Sequence, residues 1–170
     1  MVTTLMARLV ALAVAAGAVC GVTLHVLGMQ APQATHVSEA DSVLTEFLEA
    51  LNQERNRAGI ASLKIAPKLT EAARAHVHDM AKHEMLSHQG SDGTTPAQRV
   101  KQQGYPYRKS GENIASGQST PEAVMQSWMR SPGHRRNILG DFTEVGAAHA
   151  SSKSGTPYWC AVFASPSLLR

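Results

Sequence analysis

Cysteine is nearly absent from this chain: there are two in 170 residues, Cys20 and Cys160. One lies in an apolar N-terminal stretch and the other near the C-terminus. No internal disulfide is therefore expected to staple the folded part, and its stability must come from packing. A surplus of charge of one sign is also missing. The formal net charge is +3, and the basic residues are scattered. The densest basic stretch, Arg55, Arg57, Lys64 and Lys68, sits between the acidic neighbours Glu54 and Glu71. That pattern reads as a solvated face and not as a nucleic-acid footprint. The length of 170 residues gives room for one domain with a proper core, not for two comfortable ones.

Long apolar runs are scarce as well; one stands out, from Leu9 to Gly28, with Arg8 in front of it and His25 inside. Roughly 20 apolar residues suit a secretory signal or an uncleaved membrane anchor. Ala16-Gly17-Ala18 meets the small-x-small cleavage rule but shortens the apolar region, so both readings stand. The bulky Val19 before Cys20 argues against lipid attachment. The expected organisation is a signal peptide or membrane anchor over 1–28, a linker over 29–37, and a folded domain over 38–170. Export follows, with the product secreted, periplasmic or attached to the cell envelope.

Within the domain, Ser38 with an acid at Asp41 marks a helix start. Val43, Phe47, Leu48 and Leu51 recur at helical spacing, and Gly59 closes the helix. Pro67 opens a second helix with a buried stripe of Leu69, Ala72, Ala73, Val77, Met80 and Ala81, running out near Leu86. Gly90 and Gly93 break the chain, and 96–103 forms a third helix closed by Gly104. Ile114-Ala115 is a short strand. Thr120-Pro121-Glu122 starts another helix with Val124, Met125 and Trp128 inward, stopped by Ser131-Pro132-Gly133. The alternating segments 145–150 and 158–164, joined by 152–155, predict a closing β-hairpin. Helices interleaved with hairpin strands predict an α/β fold, with helices covering a compact, mainly antiparallel sheet.

Two familiar catalytic patterns are absent. His83-Glu84-Met85-Leu86-Ser87-His88 has the composition of a zinc-protease helix, but its histidines are five apart and point about 140° away from each other. No G-x-S-x-G elbow exists either. What the chain does hold is two polar islands. One is Ser87-His88-Gln89-Gly90-Ser91-Asp92-Gly93, followed by Gly111-Glu112-Asn113-Ile114. The other is Ser131-Pro132-Gly133-His134-Arg135-Arg136-Asn137-Ile138-Leu139. His88 and His134 each fall where glycine or proline breaks a helix, the place where functional side chains gather. Glu112 is either an acceptor for backbone amides or a partner to the two imidazoles. Neutral imidazole with carboxylate suits a borderline ion such as zinc. His76, His78 and His83 read as helix-surface or core-edge side chains, and His25, His36 and His149 receive no role. Cys160, in an alternating strand, reads as a small buried hydrophobe.

At these residues the chain resembles the bacterial branch of the CAP superfamily, also called the SCP/TAPS domain (cysteine-rich secretory proteins, antigen 5, pathogenesis-related 1). The similar segments run in family order over Leu44 to Ala164. They are Leu51-Asn52-Gln53-Glu54-Arg55; Leu69 to Ala75; Ser87-His88 with Asp92-Gly93; Arg99; and Gly111 to Ala115. Trp128-Met129, Ser131 to Arg135, Asn137-Ile138-Leu139, Phe142 with Val145-Gly146, Tyr158-Trp159 and Phe163-Ala164 follow.

The resemblance implies a three-layer α-β-α sandwich with a small, mainly antiparallel central sheet. It also implies a cleft of two histidines and two acids able to bind a divalent cation: zinc, or calcium or magnesium. Carried over, the cleft residues are His88, Glu112 and His134, with His88 and His134 as metal ligands. The second family acid, three residues after Trp128, is replaced by Ser131, which should lower cation affinity. Glu144 is a candidate substitute for the missing carboxylate. The paired cysteines of animal and plant members are missing too. By this resemblance the chain is an exported module binding a small hydrophobic ligand, such as a lipid or sterol, or a cell-envelope component. The alternatives are a peptidase-like hydrolase using a His–Glu pair or a metal-activated water, and a purely structural envelope protein. No catalytic residue is assigned, no nucleic-acid partner is expected, and membrane contact is expected only through an uncleaved N-terminal segment.

Overall fold

A strand whose successive side chains enter two different apolar environments belongs in the middle of a sandwich. The segment 157–166 is such a strand: Tyr158, Cys160, Val162 and Ala164 join one core cluster, and Trp159, Ala161 and Phe163 join another. The computed structural model describes residues 39–167. In chain order the elements are α1 (Glu39–Arg57), β1 (Lys64–Ile65), α2 (Pro67–His83), α3 (Pro96–Gln102), β2 (Tyr107–Ser116), α4 (Pro121–Arg130), α5 (Pro132–Ile138), β3 (Glu144–Ser151) and β4 (Pro157–Pro166). The cap expected at Ser38, the apolar run 9–28 and the linker 29–37 lie outside the described residues.

The strand order is β1-β3-β4-β2. β4 pairs antiparallel with both β2 and β3, while the two-residue β1 pairs parallel with β3. The sheet is therefore mainly antiparallel. One face is covered by α2 and α3, through Leu69, Ala73, Val77 and Val100. The other is covered by α1, α4 and α5, through Phe47, Leu51, Val124, Trp128 and Ile138. The fold is the three-layer α-β-α sandwich, with a separate core on each side of the sheet.

Contact between α2 and the sheet depends on a missing side chain. A Cβ at Gly146 of β3 would stand 2.0 Å from the Thr70 backbone nitrogen. The first turn of α2 thus rests directly on the β3 backbone. Gly59 follows α1 with φ +71°, as its place after the helix predicts.

Four local expectations need correction. β2 has ten residues, not two. Its first half is polar and only partly covered, so the apolar signal showed only Ile114-Ala115. α2 ends at His83, where Glu84 takes a left-handed conformation (φ 52°) and its N–H donates to the Met80 carbonyl. Ser131 does end α4, but Pro132 immediately opens a further helix, α5, which the expected stop concealed. His134 is therefore a helix residue and not a loop residue.

The fourth correction concerns Arg55, which is not part of a solvated face but is 2% exposed. Its guanidinium donates to the carbonyls of Ala61, Ile138, Gly140 and Phe142 at 2.7–3.1 Å. Ile138, Gly140 and Phe142 lie at the end of α5 and just beyond it, so the guanidinium ties that segment to the end of α1.

Candidate functional site

β2 is the strand that assembles the site, because neighbouring side chains on it point to opposite faces. Ile114 packs in the α2–α3 core and Ala115 in the other. By the same alternation Glu112 reaches toward α2, α3 and the loop after α2, while Asn113 reaches toward α5. Each holds one histidine segment. Glu112 Oε1 accepts a hydrogen bond from His88 Nδ1 at 2.8 Å. Asn113 Nδ2 donates to the His134 carbonyl at 3.0 Å. Asn137 of α5 completes the clamp, donating to the Glu112 carbonyl and to Asn113 Oδ1.

Glu112 is buried among partners. Arg99 Nη2 donates to its Oε2 at 2.8 Å, and His76 Nε2 stands 3.8 Å from its Oε1. Arg99 is positioned by α3, whose start carries a full capping box between Thr95 and Gln98. The same guanidinium donates to the Thr94 and His88 carbonyls, fixing the loop that carries His88. His76, 1% exposed, donates from Nε2 to the Ser87 carbonyl at 2.8 Å. The Cys160 thiol lies 3.8 Å behind Glu112 Oε2.

The electrostatics follow from this packing. Burial pushes the Glu112 carboxyl up, but hydrogen bonds from His88 and Arg99 and the Arg99 charge outweigh it and hold the group below its ordinary value. Burial lowers His76, partly opposed by Glu112. Burial also lowers His134, with a further contribution from the charge of His88. Burial raises the Cys160 thiol well above its usual range, which keeps it an inert hydrophobe.

Because Glu112 accepts from Nδ1–H, the Nε2 of His88 is the free nitrogen, on a side chain that is 54% exposed. This is the orienting arrangement that carboxylates give to ligating or proton-transferring imidazoles. The His134 ring is half-buried against Trp128, with centroids 5.9 Å apart.

Whether these residues fit the cation implied by the resemblance can be tested on their contacts. Both carboxylate oxygens of Glu112 are engaged, one of them by a guanidinium that would repel a cation. Ser131 supplies no carboxylate, and Glu144 accepts from the Tyr105 hydroxyl. No group of three or more His, Cys, Asp or Glu is arranged to hold a metal among the described residues. Such a set does not fit calcium or magnesium, which need several oxygen ligands. It offers zinc two imidazoles of its usual four ligands.

The structure thus brings His88 directly onto Glu112 and holds the His134 backbone on the adjacent residue. Sequence reasoning missed His76, Arg99, Asn113 and Asn137 as members of the site. A signal for His76 existed, since it stands four residues from both Ala72 and Met80 within the buried stripe of α2. Arg99 had only its place in a similar segment.

The model of the cysteine-rich secretory protein family (CAP) matches residues 48–163. YkwD of Bacillus subtilis is 41% identical over 110 residues, 64% of this chain and 43% of that protein. The membrane protein YlbC of the same organism is 28% identical over 102 residues, 59% of this chain and 30% of that protein. The chain therefore spans less than half the length of these curated relatives. Among solved structures, an outer surface protein from Borrelia burgdorferi superposes with a TM-score of 0.71 at 18% identity, covering 76% of this chain and 97% of that one. An extracellular SCP-domain protein from Bacillus anthracis gives 0.64 at 25% identity, covering 71% and 39%. With the family model spanning more than half of its residues and the α-β-α sandwich in place, the chain belongs to the CAP, or cysteine-rich secretory protein, family.

Proposed function

We propose that this chain is an exported CAP domain whose His88–Glu112–His134 cleft binds a small hydrophobic or envelope-borne ligand without turning it over. The observation that carries this reading is the full engagement of Glu112. Its side chain is 2% exposed, and its two oxygens are occupied by His88 and Arg99. A carboxylate in that state is poorly placed to take a proton from water, and serves to hold the cleft and aim one imidazole outward. Export is supported by the apolar run 9–28. It is further supported by likeness to proteins described as an outer surface protein and as an extracellular protein.

The test is saturable uptake of a fluorescent fatty-acid or sterol probe by the purified protein, together with mass spectrometry of co-purified lipid. Saturable uptake that His88→Ala and His134→Ala weaken supports binding in the cleft. Finding no probe uptake and no bound lipid would contradict it. Zinc titration into the same sample should raise the melting temperature little, because two imidazoles make a weak site.

One observation favours a second reading, hydrolysis. The 2.8 Å His88–Glu112 contact with Nε2 free is the geometry of a general-base dyad. The neighbouring Ser87 hydroxyl accepts from the Gln89 N–H and the Cys160 thiol is buried, so the nucleophile would be water. Peptide or ester turnover that His88→Ala abolishes while the protein stays folded would establish this reading over the first.

A further inference from the structure

α5 has two chemically different sides. At about 100° per residue, His134, Asn137 and Ile138 fall together, and Pro132, Arg135, Arg136 and Leu139 fall opposite them. The contacts agree. Asn137 bonds to β2 and Ile138 is fully buried, whereas Arg135 is exposed and Pro132 and Arg136 lie on the outer side with it. The outer set joins Met129 and Arg130 from the end of α4 to line a groove of about 440 Å³.

No carboxylate lines this groove, although Glu54 and Glu122 line the adjacent one that shares Met129. Arg57, Arg74, Arg99 and Lys109 each pair with a carboxylate, but no salt bridge reaches Arg130, Arg135 or Arg136 among the described residues. Between residues 120 and 140 the one carboxylate is Glu122, at the far end of α4. Position 131, where the resemblance places an acid, is serine. Three guanidinium groups therefore rim a floor of half-buried Met129 and Leu139 with Pro132.

Guanidinium forks match phosphate oxygens, and their stems together with the apolar floor suit the glycerol and upper acyl region beneath a headgroup. A single-stranded nucleic acid would find no aromatic side chain in the groove on which to stack a base. We propose that the α4–α5 groove docks this domain on an anionic phospholipid surface, with Arg130, Arg135 and Arg136 taking lipid phosphates. This surface lies on the opposite side of α5 from His134, and its membrane contact would add to that expected of the N-terminal segment if that segment is uncleaved.

The experiment compares the full chain and its Arg130→Gln/Arg135→Gln/Arg136→Gln variant on two kinds of vesicle: phosphatidylglycerol mixed with phosphatidylcholine, and phosphatidylcholine alone. The readouts are the ratio of partition between the two vesicles and amide exchange over residues 129–139. Any insertion of the apolar run 9–28 with its flanking Arg8 is common to both proteins, and cancels when the ratio of the variant is compared with that of the parent chain. Each arginine near an anionic surface is expected to contribute about fivefold, so the triple variant should lose roughly two orders of magnitude of the ratio. Exchange over 129–139 should slow on the anionic vesicles for the parent chain, and raised salt should reverse it. A ratio near one for the parent chain, or a ratio that the triple variant leaves unchanged, would overturn the proposal. So would competition by soluble glycerol phosphate or duplex DNA as effective as anionic vesicles, since either would make the groove a general polyanion site.

Discussion

Two opposing effects meet at Glu112: burial disfavours its charge, and Arg99 with His88 restores it. The carboxylate is useful only with its partners, because Arg99 is itself nearly buried and has no other carboxylate partner among the described residues. Glu112→Gln keeps the shape but strands the guanidinium, and should cost about 3–5 kcal/mol of folding stability, as removing one partner of a buried pair does. Urea unfolding of the two proteins measures it; a loss below about 1 kcal/mol would show that solvent compensates Arg99. Arg55 poses the same question without a carboxylate. Arg55→Lys cannot reproduce the fork that meets four carbonyls, so it should destabilise by about 2–4 kcal/mol despite keeping the charge. A near-neutral lysine variant, measured the same way, would contradict that role.

Among the elements, the α2–β3 contact is the tightest constraint. Gly146→Ala would push its new carbon into the α2 backbone at Leu69 and Thr70, and neither side is a flexible side-chain end. About 3 kcal/mol or more should be lost, beyond the usual overpacking range, and the denaturant midpoint reports it. α5 shows why some elements escaped sequence reading. Proline reads equally as the end of one helix and the first turn of the next, and at Pro132 it is the second. β2 escaped for another reason: an edge strand that serves a polar site need not alternate visibly, and its residues 107–113 carry one apolar side chain among them. The helices with clear stripes and the hairpin of β3 and β4 were legible because each buries a complete face. His88, Glu112 and His134 stand out in the sequence by their place beside chain breakers, and the structure puts His88 on Glu112 and the His134 carbonyl on the neighbouring Asn113. The site's supporting groups, His76 and Arg99, sit within regular helices, where position alone does not separate a core residue from a site residue.

For the whole molecule, acid should act in two stages. Burial lowers His76 and His149, and burial with the charge of His88 lowers His134, below the ordinary value of 6.5. The unfolded chain then binds more protons than the folded one as pH falls below that value, so stability declines there. Glu112, held below its ordinary 4.5, contributes stability above that value that is lost only as pH drops through its lower folded value. Melting temperature should therefore fall from pH 7 toward pH 5 and fall again in stronger acid, with His76→Asn flattening the first decline. A melting temperature unchanged between pH 7 and pH 5 would contradict the burial of these imidazoles.

The arrangement on which everything else depends is the grip of Glu112 on the Nδ1 side of His88. Long-range nitrogen–proton NMR of the histidine side chains reads it directly. The proton of neutral His88 should reside on Nδ1, with Nε2 unprotonated on the exposed side of the ring, and Glu112→Gln should shift that balance. A His88 signal with the proton on Nε2, unmoved by Glu112→Gln, would mean that the carboxylate does not aim the imidazole and that the cleft is not organised as described.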